Sequence, residues 1–256
     1  MKWFRSGTLT VSPPSAQSAD AMATGTNPFV SEERAKRYEN WYAGPGKRAG
    51  EREKALLAHL VDGFPHARTL LEIGCGTGYF SRWLASAGFN VAGLDASSPM
   101  LAEARRRGTL RCIQGDAAAL PFRNRSFDVA ALITCLEFLA DPGAALIEAA
   151  RVARHGLLLG VLNRWSLLAL RRRKSGGEVW RTARFLSPFQ LERLIRRSIG
   201  SRLVTVRWQT TLWPFGIPCA LPLPWGGFIG MAVHFEEAAA QLETGSTTCH
   251  KSYPLR

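Results

Sequence analysis

The chain has 256 residues, 46% of them hydrophobic, and a formal net charge of +13; that length and apolar content serve one substantial core, so one α/β unit accounts for it. Five cysteines (Cys75, Cys112, Cys135, Cys219, Cys249), odd in number, far apart and without a CxxC pair, argue against a disulfide framework or a structural zinc site and fit a reducing cytoplasm. No stretch reaches the length of a membrane span, and Met1–Arg5 carries charge with no apolar run behind it, so secretion is not expected.

Residues 1–27 are rich in Ser, Thr, Ala, Pro and Gly, with too little apolar area to repay their ordering, and read as a disordered leader. Within it Met22 is an alternative start to Met1. The folded domain is expected over residues 28–244, with a flexible tail over 245–256. It opens with Phe29, Tyr38, Trp41 and Tyr42 set among charges, then a helix through Glu51–Val61. Strand and helix patterns alternate from there, the signature of a parallel sheet covered on both faces. Strands are predicted at Thr69–Ile73, Asn90–Leu94, Leu110–Ile113, Phe127–Ile133 and Gly156–Leu162. The first intervening helix spaces Phe80, Trp83, Leu84 and Ala87 at i, i+3, i+4 and i+7 and stops at Gly88. Ser98-Pro99 and Asp141-Pro142 each set an N-cap before a first-turn proline, and Ser187 with Gln190 forms a capping box. The densest basic run, Arg171–Lys174, falls at a helix end, where cations suit the dipole without any nucleic acid. Two final strands, Leu203–Trp208 and Phe228–Phe235, have no convincing crossover helix between them and should pair antiparallel. The expected architecture is thus α/β, a three-layer sandwich around a mainly parallel seven-stranded sheet with an antiparallel terminal hairpin.

The segment Leu71-Glu72-Ile73-Gly74-Cys75-Gly76-Thr77-Gly78-Tyr79-Phe80 carries the functional signal: an apolar strand, three alternating glycines, then an amphipathic helix. Glycine permits the tight turn and lets a ligand approach the backbone. Alone it marks only a strand-to-helix turn. Here an acid ends the next strand at Asp95 and another the third at Asp116; the first can accept both hydroxyls of a ribose and the second can meet an adenine edge. A nicotinamide dehydrogenase would prefer GxGxxG, but position 79 is Tyr and the alternation runs strictly through Gly78.

Together with Gly115-Asp116-Ala117-Ala118-Ala119-Leu120-Pro121-Phe122, these residues resemble the class I, Rossmann-like S-adenosylmethionine methyltransferases. The likeness is strongest to the group related to the ubiquinone/menaquinone-biosynthesis enzymes (methyltransferase type 11), over roughly Leu70 to Asn163. The resemblance implies S-adenosylmethionine as cofactor, with S-adenosylhomocysteine as product and no metal. It implies that Glu72 orients the loop or the methionine amino group, that Gly74, Cys75, Gly76 and Gly78 form the loop around the methionine part, and that Asp95 binds the ribose. Ala96 and Met100 would pack near adenine, Asp116 and the Ala117 N–H would bind it, and Thr134 would border the methyl end. Some relatives that methylate catechol-type oxygens have an acid at Thr134 and a histidine at Phe138; this chain has neither, which puts metal-assisted O-methylation in doubt.

Ligands in open α/β sheets lie beyond the carboxyl ends of the strands, so the methyl should lie beside Ile133–Pro142. Glu137 is the acid/base candidate there, its other reading being a carboxylate that pins local backbone. Tyr42, with Tyr38 and Trp41, belongs to a helix that could fold over the cofactor or simply pack on the sheet. Asn163 follows strand five and either binds substrate or caps the next helix. The apolar connection containing Trp213 and Phe215 is read as a wall of the acceptor pocket, with a membrane contact or an edge cover as alternatives. His155 and His234 fall away from this edge. The expected acceptor is a small molecule, apolar or aromatic. Methylation of RNA stays open because of the positive charge, although no RNA-binding module or NPPY-like tetrapeptide is present, and so does a cofactor-binding regulator without turnover.

Overall fold

A computed structural model describes residues 28–108, 111–175, 178–213, 217 and 219–236. The leader 1–27, Phe215, Cys249 and the tail 245–256 lie outside the described residues. The elements run α1 (Glu32–Ala43), α2 (Lys47–Val61), β1 (Thr69–Ile73), α3 (Tyr79–Ser86), β2 (Asn90–Asp95), α4 (Ser98–Arg106), β3 (Cys112–Gln114), β4 (Phe127–Ile133), α5 (Pro142–Val152), β5 (Ala153–Leu162), α6 (Leu167–Ser175), α7 (Glu178–Thr182), α8 (Pro188–Ile199), β6 (Leu203–Thr211) and β7 (Phe228–Phe235). The strands form one seven-stranded sheet in the order β3-β2-β1-β4-β5-β7-β6. Strands β1 to β5 are parallel, and β7 runs antiparallel between β5 and β6. The predicted antiparallel pair is present, and it docks on the parallel sheet through its second strand.

Both faces of the sheet are covered, which is why its central strands read as continuous apolar runs rather than alternating ones. Leu71, Ile73, Leu132 and Leu159 pack with Leu146 of α5 and with Leu191 and Ile195 of α8. On the other face Leu70, Leu158 and Phe228 meet Leu56, Leu57 and Leu60 of α2 and Phe80 and Leu84 of α3. Burying each such side chain contributes roughly 1.5–3 kcal/mol, which makes this double-sided core the principal source of rigidity for the sheet. At the amino end of the strands Asp128 accepts the N–H groups of Arg68 and Thr69 and the Thr69 hydroxyl, all at 2.9 Å, and meets Arg154 at 3.0 Å. Burial pushes that carboxyl up, but these donors outweigh it and leave it below the ordinary range.

Several boundaries differ from the sequence reading. The third strand is displaced to Cys112–Gln114, β5 begins at Ala153, and the N-cap of α4 is Ser97 rather than Ser98. The Ser97 hydroxyl receives the Met100 N–H, while its own N–H is taken by Asp95, so the cap is fixed by the end of β2 and Pro99 moves into the first turn. Asp141 caps α5, and Ser187 with Gln190 closes both bonds of the capping box of α8.

Candidate functional site

The glycine loop that leaves β1 is left-handed at all three glycines, with φ of +72° at Gly74, +55° at Gly76 and +77° at Gly78. Gly74 is required twice over, since a Cβ there would lie 2.3 Å from the Cys135 Sγ. A Cβ on Gly76 would meet nothing within 4 Å, so that glycine faces open space. The Leu94 carbonyl accepts the N–H groups of Gly74 and Cys75 at 2.7 and 3.0 Å. The Asp95 carboxylate then takes the Gly76 N–H at 2.7 Å and the Ser97 N–H at 2.8 Å, one on each oxygen. Burial raises the Asp95 pKa while these two bonds oppose the rise. Each oxygen accepts one backbone N–H and keeps lone-pair capacity for a further donor.

Beside this loop a cavity of about 480 Å³ opens at the carboxyl ends of β1, β2, β3 and β4. Eight of the expected cofactor residues line it: Gly74, Gly76, Asp95, Ala96, Met100, Asp116, Ala117 and Thr134. Asp116 accepts the Ala118 N–H at 2.9 Å, which shapes the turn after β3. Thr134 ends β4 at φ +49°, an outlier for a β-branched residue, with its N–H on the Gly160 carbonyl at 2.7 Å and its hydroxyl 3.5 Å from the Tyr38 hydroxyl.

The other three expected cofactor residues sit beneath or behind the wall. Glu72 is buried under the loop and accepts the Ser81 hydroxyl of α3. Burial pushes its carboxyl up to about 8, with the Asp95 charge adding to the rise. Cys75 packs with Leu101, Ala104 and Cys112, its thiol held well above the ordinary range by burial. Gly78 is the N-cap of α3.

Sequence reasoning missed part of the wall. Phe29 and Phe138 line the cavity with rings edge to face at 5.1 Å, and Tyr38 stands beside them. Phe29 is tied down by its carbonyl, which accepts the Ser97 hydroxyl. The sequence already set Phe138 at the methyl end and Tyr38 on a helix over the cofactor, but nothing local linked them to Phe29, more than a hundred positions from Phe138.

The remaining candidates are not brought to the cavity. Glu137 is fully buried, one carboxylate oxygen accepting the Leu162 N–H at 2.5 Å and the other without a hydrogen-bond partner. Burial pushes it up to about 7. Tyr42 donates to Glu53 at 3.3 Å, and Glu53, a buried acid that sequence reasoning did not single out, is likewise raised to about 7. Asn163 has its amide N–H groups on the Pro224 and Gly226 carbonyls at 2.6 and 2.7 Å and its oxygen on the Trp165 N–H at 3.0 Å. Trp213 is buried, its indole N–H on the Thr210 carbonyl at 3.2 Å. His155 and His234 both lie at the amino end of the parallel strands, with His234 paired in register with Gly156 and stacked on Phe64. No group of three or more His, Cys, Asp or Glu is gathered where it could hold an ion among the described residues.

The chain is similar to known proteins. The family model described as a methyltransferase domain matches residues 71–159. A crystal structure described as an S-adenosylmethionine-dependent methyltransferase, possible histamine N-methyltransferase, from Thermotoga maritima superposes with a TM-score of 0.69 at 28% identity, over 80% of this chain and 98% of that one. The demethylmenaquinone methyltransferase of Renibacterium salmoninarum is 39% identical over 106 residues, 41% of this chain and 44% of its own length. An uncharacterised Mycobacterium tuberculosis protein is 36% identical over 176 residues, 66% of this chain, and the match spans 59% of that relative's length. With its glycine loop, its two strand-end acids and its 3-2-1-4-5-7-6 sheet, the chain belongs to the class I S-adenosylmethionine-dependent methyltransferases.

Proposed function

We propose that the protein transfers the methyl group of S-adenosylmethionine to a small apolar or aromatic acceptor. The observation that carries this reading is the open space in front of Gly76 beside a carboxylate with lone pairs to spare, at the mouth of a cavity of about 480 Å³. Asp95 would hold the ribose hydroxyls, Asp116 and the Ala117 N–H the adenine, and the loop Gly74–Gly78 the methionine part. When bound, the cofactor supplies an activated methyl on a good leaving group. What the chain adds is alignment: Thr134 and Tyr38 border the methyl end, and holding a nucleophile in line there accounts for much of the acceleration. Phe29, Tyr38 and Phe138 make that border aromatic, which suits an apolar acceptor better than a charged one.

Tyr42 and Glu53 form a buried hydrogen-bonded pair behind Tyr38. Glu137, fully buried and outside the cavity lining, serves instead to hold the backbone at Leu162, and no base role is assigned to it.

Calorimetry with S-adenosylmethionine and S-adenosylhomocysteine tests the cofactor, and labelled-methyl transfer onto small-molecule and RNA fractions tests the acceptor. Asp95→Ala should weaken cofactor binding by roughly 1–3 kcal/mol, the scale of lost charge-assisted hydrogen bonds. Unchanged affinity in that variant removes the assignment. Label appearing only in RNA moves the acceptor to nucleic acid, and binding without transfer to any fraction leaves a regulator.

A further inference from the structure

The positive charge is concentrated in one part of the chain: between Asn163 and Gly227 the sequence carries twelve Lys and Arg against two Glu. The same stretch holds an unusual set of exposed apolar side chains. Trp165 is 49% exposed, Leu170 53%, Phe189 50% and Trp225 57%, with Leu167 and Leu223 also exposed. These residues belong to neighbouring elements. The rings of Trp165 and Phe189 lie 5.7 Å apart. The Asn163 side chain, two residues before Trp165, grips the carbonyls on either side of Trp225. Leu167, Leu170 and Arg171 share one face of α6 by their spacing, while Ala169 is buried against the fold. Arg164, Arg171 and Arg193 are exposed around this apolar set.

We propose that this face, at the carboxyl end of β5, is a docking surface for an anionic lipid bilayer. Tryptophan and leucine tips on a rim of guanidinium groups match the two layers of such a surface, the apolar tips entering the acyl boundary and the cations meeting headgroup phosphates. Attachment has to be peripheral, since among the described residues no helix is long and apolar enough to cross a membrane. A second copy of the chain is a poor occupant, because it would bring like charge against like. RNA would meet the arginines, but Leu167, Leu170 and Leu223 offer a nucleic acid neither stacking nor hydrogen bonds.

Sedimentation of the full chain with phosphatidylcholine vesicles, with and without phosphatidylglycerol, tests this. Binding is expected only with the anionic lipid, falling as salt rises. Trp165→Ser with Trp225→Ser should lower the partition coefficient at least tenfold while leaving the cofactor affinity unchanged by calorimetry. Arg164→Glu with Arg171→Glu should lower it as well, and Arg123→Glu, at the amino end of β4, should not. As a second readout, brominated acyl chains should quench wild-type fluorescence more than that of Trp225→Phe. Failure of the wild type to sediment with anionic vesicles overturns the proposal. So does undiminished binding by the double tryptophan variant with equal quenching in Trp225→Phe, or loss of RNA binding in the variants with no change toward vesicles.

Discussion

The sheet divides between β4 and β5 into two halves built on different principles. In the half β3-β2-β1-β4, backbone groups and short-range partners make the site: the Leu94 carbonyl, the Asp95 carboxylate and the Ser97 cap lie within four residues of one another and hold the glycine loop. In the half β5-β7-β6, long connections are held by residues distant in sequence, above all Asn163, whose two amide N–H bonds fasten the segment around Trp225 some sixty residues away, and Thr210, whose hydroxyl bonds Leu223 and Gly226. A site made of local backbone geometry demands particular residues at fixed spacing, and a connection fastened at a few distant points leaves much of its sequence free.

The largest expected effect lies in the first half. Gly74→Ala combines a left-handed backbone with a Cβ against the Cys135 Sγ, and should cost about 3 kcal/mol. Gly76→Ala meets no neighbour and should cost only about 1 kcal/mol of backbone strain. Chemical denaturation of the pair sharpens the contrast, and equal destabilisation would mean that close approach is not what Gly74 serves.

Next comes the second half. Asn163→Ala removes three hydrogen bonds and leaves buried backbone groups without partners, for a loss of about 2 kcal/mol. Cofactor affinity should stay within about twofold, since Asn163 does not reach the cavity. A large loss of affinity by calorimetry would show that the halves are coupled. Trp213→Ala, which removes a buried indole bonded to Thr210, is expected to lower the melting temperature with the cofactor Kd unchanged. A weakened cofactor Kd would tie this half of the sheet to the cavity.

A pH dependence is expected as well. Glu72 has a folded pKa of about 8 against roughly 4.3 in an unfolded chain, so the folded state holds the extra proton. Its contribution is full below the unfolded value and is lost as pH rises through about 8. Melting temperature should therefore decline between pH 5 and pH 8, and Glu72→Gln should flatten part of that decline. The flattening is partial because Glu53 and Glu137, each raised to about 7, titrate in the same window. A variant whose melting profile runs parallel to wild type would show that Glu72 is ionised throughout.

The sequence by itself determined the sheet and the glycine loop with its strand-end acids. Alternating strand and helix periods admit few packings, and a left-handed turn beside a ligand admits little but glycine, so Gly74, Gly76, Gly78, Asp95 and Asp116 were legible from spacing alone. Tertiary structure alone decided which polar residues face the cavity. Glu137 and Asn163 lie beside the expected edge in sequence, but the Leu162 N–H and the carbonyls around Trp225 claim their hydrogen bonds, because buried backbone groups must find partners wherever the fold leaves them. Phe29 joined Tyr38 and Phe138 in one aromatic wall for the complementary reason: ring contacts form by proximity in the fold, and nothing near Phe29 in the chain records it.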